Sequence, residues 1–154
     1  MLNSLNFKIH KIFVLSLLLL LSSSCSDPDY YLADGSSGSL DDFKGKWLVV
    51  NYWADWCPPC LKEMPELVAF ASANKDVQVF AFNFDQLDGE DLDYEINKFG
   101  VDIPSILTHP RDIWGIESPA TLPATYFINP EGNIVQSLFR PQTQETLEDI
   151  LRSL

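Results

Sequence analysis

Residues 48–53, Leu48-Val49-Val50-Asn51-Tyr52-Trp53, form a nearly unbroken apolar run. A strand without apolar–polar alternation has both faces covered, so this run predicts a central strand. Downstream, Leu61, Met64, Val68 and Ala71 recur at the spacing of a helix with one buried face. Pro65 interrupts that pattern and is expected to bend it, because proline has no N–H for the helical ladder. Residues 77–84 alternate and then turn apolar, which predicts a second inner strand. Asp88, Glu90 and Asp91 load acids at the start of a helix carrying Leu92, Ile96 and Phe99, as the helix dipole favours. A proline-rich loop follows, then strands over 125–128 and 133–139 joined by the hairpin turn Asn129-Pro130-Glu131-Gly132. Thr143 is placed to cap a last helix with Leu147, Ile150, Leu151 and Leu154 on one face. The order β-α-β-α-β-β-α predicts an α/β domain, a mixed sheet with helices on both faces.

The first 24 residues depart from this pattern. Lys8 and Lys11 precede a ten-residue apolar core, residues 12–21, and Ser22, Ser23 and Ser24 follow. The core is too short to cross a bilayer as a helix, and the arrangement reads as a signal peptide for export. Cys25 comes next, an odd cysteine in an exported chain. The stretch resembles a bacterial lipobox, with Ser22 where leucine is common, and implies acylation of Cys25; an ordinary signal-peptidase site is the alternative. The expected organisation is a leader over 1–24, a lipidated N-terminus and tether over 25–39, and one domain over 40–154. The tether is read as running into a short strand or hairpin around residues 30–33, and residues 40–46 as a short turn or helical segment. Loss of the leader removes two lysines and no acid, taking the net charge from −12 to −14. So acidic a surface argues against a nucleic-acid partner and leaves membrane attachment to the lipid alone.

The chemistry concentrates at Trp56-Cys57-Pro58-Pro59-Cys60, between the first inner strand and the first helix. Two cysteines three apart at such a turn are spaced for a reversible disulfide. The free N–H groups and dipole of the helix N-terminus stabilise the thiolate of Cys57, the form that attacks a disulfide. A structural zinc site needs four ligands, and the chain offers besides these only Cys25, His10 and His109. A purely structural loop of this length would constrain little of the unfolded chain. No cofactor or metal is expected.

The element order, with the dithiol at the first strand–helix junction, resembles the thioredoxin fold. Residues 42–46 leading to Asn51-Tyr52-Trp53-Ala54-Asp55-Trp56-Cys57-Pro58-Pro59-Cys60, then Glu63-Met64-Pro65-Glu66-Leu67, resemble the TlpA/ResA-type thiol:disulfide oxidoreductases. Leu122-Pro123-Ala124-Thr125 and the hairpin after it resemble that family's cis-proline strand. The resemblance implies that Cys57 attacks and Cys60 resolves the mixed disulfide. It implies that Pro123 is a cis proline beside the disulfide, and that Trp56 contacts partners or packs locally. Pro58 and Pro59 withhold two backbone donors from Cys57, which favours a reducing role. Asn51 stands where cytoplasmic thioredoxins carry a buried acid, so another carboxylate or water must take the Cys60 proton. Asp85, after the second inner strand, is the expected replacement, with Glu63 or bulk water as the alternatives. The implied function is a periplasm-facing, lipid-anchored, monomeric reductase of protein disulfides such as apocytochrome c, supplied by an upstream membrane thiol donor. General thiol repair and a non-catalytic binding module are the alternatives. A peroxidase of the peroxiredoxin type is disfavoured by Ala54, where that family places threonine. An isomerase would need a dimerisation domain for which the chain has no room.

Overall fold

The computed structural model describes residues 27–154; the leader and Cys25 lie outside the described residues. Four strands form the main sheet in the order β4-β3-β5-β6. The strands are β3 (Trp47–Trp53), β4 (Val77–Asn83), β5 (Ala124–Ile128) and β6 (Ile134–Leu138). β4 runs parallel to β3, while β5 and β6 are antiparallel to their neighbours. The apolar run of β3 is buried from Leu48 to Trp53, as a central strand requires. The helices are α1 (Pro58–Ala73), α2 (Gly89–Phe99), α3 (Pro110–Trp114) and α4 (Gln144–Ser153). The expected α/β order therefore holds, with two additions in the proline-rich loop: the short α3, and Ser105, which bridges Ala81 in parallel.

The two faces of the sheet are covered unequally. Met64, Leu67 and Phe70 of α1, Leu92 of α2 and Leu147 of α4 share one core with Val49 and Phe127. The β3-α1-β4 and β4-α2-Ser105 connections both join parallel strands, and right-handed crossovers advancing in one direction leave their helices on one face. The other face is covered by Tyr30, Phe43 and the short α3 against Val50, Phe80 and Tyr126.

Three expectations need correction. The buried stripe of α1 is Cys60, Glu63, Met64, Leu67 and Phe70. Leu61, Val68 and Ala71 of the predicted stripe only flank that core. α1 also continues through Pro65, so the proline does not interrupt it. The third concerns the tether: the hairpin expected around residues 30–33 is present, but it packs into the fold. Residues Tyr30–Tyr31 (β1) and Ser37–Gly38 (β2) pair as an antiparallel hairpin, and Leu32 bridges Ile106. Tyr30 is buried, its ring centroid 5.1 Å from Phe43. The Asp29 carboxylate accepts from Ser39 Oγ and Leu40 N, each at 2.8 Å. The Gly/Ser composition that suggests a linker has a packing reason here, since a Cβ on Gly38 would collide with the Tyr30 hydroxyl. This hairpin belongs to the domain.

Candidate functional site

β3 ends at Trp53, and a tight turn closes with Cys57 N donating to Ala54 O at 3.2 Å. Cys57 is the N-cap of α1, and Pro58 and Pro59 occupy the first two helical positions. Proline suits that start because its ring fixes a helical φ and the missing N–H would have had no helical partner. The first N–H of the helix is thus that of Cys60, and it is shared between Cys57 O at 2.9 Å and Cys57 Sγ at 3.3 Å. Cys57 and Cys60 are joined by a disulfide, S–S 2.02 Å. Both are buried, Cys60 at 1% exposure and Cys57 at 5%, so what access the pair has falls on Cys57. Pro58 and Pro59 are exposed.

The Leu122–Pro123 peptide bond is cis. Ala124 pairs with Tyr52, so Pro123 lies one step further along, opposite the end of β3 that leads into the dithiol turn. Trp56, the residue before Cys57, is 57% exposed.

Beyond Cys60 by one helical turn lies Glu63, buried at 1% exposure. Its Oε2 accepts from Asn51 Nδ2 at 3.3 Å; its Oε1 accepts from Gln142 N at 3.1 Å and from Thr125 Oγ1 at 3.4 Å. Asn51 Nδ2 also donates to Thr125 Oγ1 at 3.0 Å. Burial pushes the Glu63 carboxyl up to about 7, against the opposing pull of the Gln142 N–H, Asn51 and Thr125. The sheet register explains the grouping, because Asn51 pairs with Thr125 in the middle of β3 and α1 packs over it.

This arrangement corrects the expectation for Asp85. That carboxylate is exposed on the loop after β4, and its Oδ2 accepts from Trp56 Nε1 at 2.6 Å. The buried acid on the Cys60 side of the site is Glu63. The sequence signal was present: Glu63 falls three after Cys60 and one before Met64, inside the buried stripe of α1 rather than on its solvent face. Asn51 cannot titrate, but it holds the residue that does.

A thioredoxin-like sheet with a disulfide at the N-terminus of its first main helix, beside a cis proline, defines the class. The protein is a thiol–disulfide oxidoreductase of thioredoxin fold. A family model described as the AhpC/TSA family matches residues 26–137, and the chain belongs to that family. The match begins ahead of the β1–β2 hairpin, consistent with that hairpin's place in the domain. Among relatives, thiol-disulfide oxidoreductase ResA of Bacillus thuringiensis (strain Al Hakam) is 30% identical over 131 residues, spanning 82% of this chain and 75% of that protein. ResA of Bacillus subtilis (strain 168) is 29% identical over 135 residues, spanning 85% and 75%. The thioredoxin domain of a Bacteroides vulgatus thiol-disulfide oxidoreductase superposes with TM-score 0.62 at 28% identity, covering 79% of this chain and 90% of that one. A DsbF homologue from Corynebacterium diphtheriae has the same fold, with TM-score 0.67 at 22% identity over 86% of this chain and 89% of that one.

Proposed function

We propose that the protein is an exported, lipid-anchored reductase of protein disulfides, acting through Cys57 and Cys60. The observation that carries the catalytic part is the buried Glu63, one turn beyond Cys60 and raised to about 7. In the reduced enzyme the Cys57 thiolate attacks one sulfur of a client disulfide, and the client's other sulfur leaves as a thiolate and takes a proton. Cys60 then loses its proton to the Glu63 carboxylate and attacks Cys57 Sγ. The second client sulfur leaves as a thiolate and is protonated, so the client gains two electrons and two protons. The enzyme is left with the Cys57–Cys60 disulfide, which an upstream dithiol must reduce. An acid titrating near neutral pH suits a base that must accept this proton and later return it.

The direction of transfer follows from the two prolines. They leave Cys60 N as the first helical donor to Cys57, so the thiolate is less stabilised than a fully donated one and the dithiol is a better reductant. A glutathione redox titration should give a potential nearer roughly −270 mV than −120 mV, and a value above about −180 mV would remove the reducing assignment. The Cys25 lipid anchor, an envelope location facing the periplasm, and clients such as apocytochrome c rest on the leader sequence and on the TlpA/ResA resemblance. Intact mass spectrometry of membrane-extracted protein should show an acylated Cys25 as the first residue. A Cys60→Ser variant, which stalls the mixed disulfide, should trap the clients on Cys57.

A further inference from the structure

Trp56 is exposed, yet its indole is not free. Its N–H is bound by Asp85 at 2.6 Å, and its ring stands edge-on to Phe84 with centroids 6.0 Å apart and planes at 89°. We propose that Asp85 is a positioning residue that holds the Trp56 indole as a fixed aromatic docking face, beside Cys57, for polypeptide substrates. The inference rests on the reading of the protein as a protein-disulfide reductase.

The loop that presents Asp85 is itself pinned. Phe84 N donates to Trp53 O at 2.8 Å, tying the loop to the end of β3. Asn83 O accepts from Gln86 N at 3.0 Å, and Asn83 Oδ1 accepts from Leu87 N at 3.3 Å. Between these bonds Gln86 adopts φ 57°, the only positive φ outside glycine among the described residues. A glutamine holds that left-handed conformation only where its surroundings impose it. Asp85 therefore meets the indole from a backbone with little freedom of its own. A carboxylate oxygen at this short distance makes the bond one of the stronger ones available to an indole.

The consequence concerns recognition. A large exposed aromatic supplies contact area to a partner, and ordering it before binding lowers the cost of association. A polypeptide surrounding a disulfide covers the indole as its sulfur approaches Cys57. A small disulfide needs only the sulfur. Holding Trp56 should therefore favour protein substrates selectively.

The test compares insulin with bis(2-hydroxyethyl) disulfide as substrates, using full-length protein kept reduced by dithiothreitol, for wild type, Asp85→Ala and Asp85→Asn. Loss of one net hydrogen bond predicts that Asp85→Ala raises KM for insulin by roughly 5- to 10-fold more than KM for the small disulfide. In Asp85→Asn the amide oxygen still accepts the indole N–H, so most of the loss should be recovered. The Trp56 Nε1 proton resonance, assigned with Trp56→Phe, should shift upfield in Asp85→Ala and much less in Asp85→Asn. Equal KM rises for both substrates, an Asp85→Asn as impaired as Asp85→Ala, or an unchanged insulin KM with a shifted indole signal would each overturn the inference. Wild type that reduces the small disulfide but not insulin would overturn the protein-substrate reading as well. Wild type that reduces both, with an insensitive Asp85→Ala, would overturn this inference alone.

Discussion

Glu63 lies within α1, one turn past Cys60, whereas Asp85 lies on the loop after β4 and bonds the indole of Trp56, the residue before Cys57. The first is 1% exposed and accepts from Asn51, Thr125 and the Gln142 N–H. The second is exposed and accepts from one indole. Nothing in the side-chain chemistry separates an aspartate from a glutamate here; burial does. A carboxylate surrounded by the sheet and two helices loses more hydration than three donors restore, so its proton affinity rises into the range useful for thiol chemistry. The exposed Asp85 carboxylate serves as an acceptor for the indole N–H. On the proposed reading, the same residue class moves a proton on one side of the motif and holds an aromatic on the other.

The largest effect should come from removing the titrating group. Glu63→Gln keeps the shape, and the amide can still accept from Gln142 N, but it cannot take the Cys60 proton. Resolution of the mixed disulfide should slow on the order of 100-fold, the usual contribution of a positioned base. The inflection of its pH profile near 7 should disappear. Stopped-flow reduction separates this step from attack by Cys57, which should change far less. Asp85→Asn should leave that inflection in place. If it moves the inflection and Glu63→Gln does not, the assignment of the two carboxylates is reversed.

Stability should sharpen the same contrast. The Glu63 carboxyl is raised from 4.5 to about 7 in the folded protein, so between these values the native state binds a proton that the unfolded chain has lost. Unfolding free energy therefore falls as pH rises through that window and levels off above it. The full drop is on the order of 3 kcal/mol for one such buried group. Urea unfolding at pH 5, 6, 7 and 8 should show this decline in wild type and a flatter line in Glu63→Gln. Asn51 Oδ1 has no hydrogen-bond partner, and an amide rotation would offer it to the protonated Glu63 or to the glutamine. A decline of equal size in both proteins would place the proton elsewhere.

How much of this was legible beforehand divides along the same line. Local chemistry gave the strands, the capping of α4 by Thr143, and the dithiol turn with its two prolines, because each depends on neighbours in sequence. The cis Leu122–Pro123 bond was reachable through the resemblance alone. Glu63 ranked only behind Asp85 because its burial depends on Asn51, Thr125 and Gln142, which the fold brings from 12, 62 and 79 residues away. Asp85 was placed in the right neighbourhood, but a strand end cannot reveal from sequence which way the following carboxylate turns. The Gly/Ser hairpin read as a tether for a related reason. Gly38 is needed by the Tyr30 ring, a contact that composition does not show.

The smallest predicted effect belongs to the backbone of the dithiol turn. Pro59 is at the second helical position, where an ordinary residue would point its N–H toward the N-cap side chain, here Cys57. Pro59→Ala restores that donor beside the one from Cys60 N, which already reaches Cys57 Sγ at 3.3 Å. A second N–H stabilises the thiolate more than the disulfide sulfur, so the reduced form gains and the potential becomes less negative. A net hydrogen bond of about 1 kcal/mol corresponds to a rise of about 20 mV for a two-electron couple. The Cys57 thiol should become more acidic in the same variant, while the Glu63 inflection in the resolution step should stay put. Redox titration in glutathione buffers checks the first, and the pH dependence of Cys57 alkylation in the reduced enzyme checks the second. An unchanged or more negative potential would mean that the prolines act by stiffening the turn, and that the reducing character has another source.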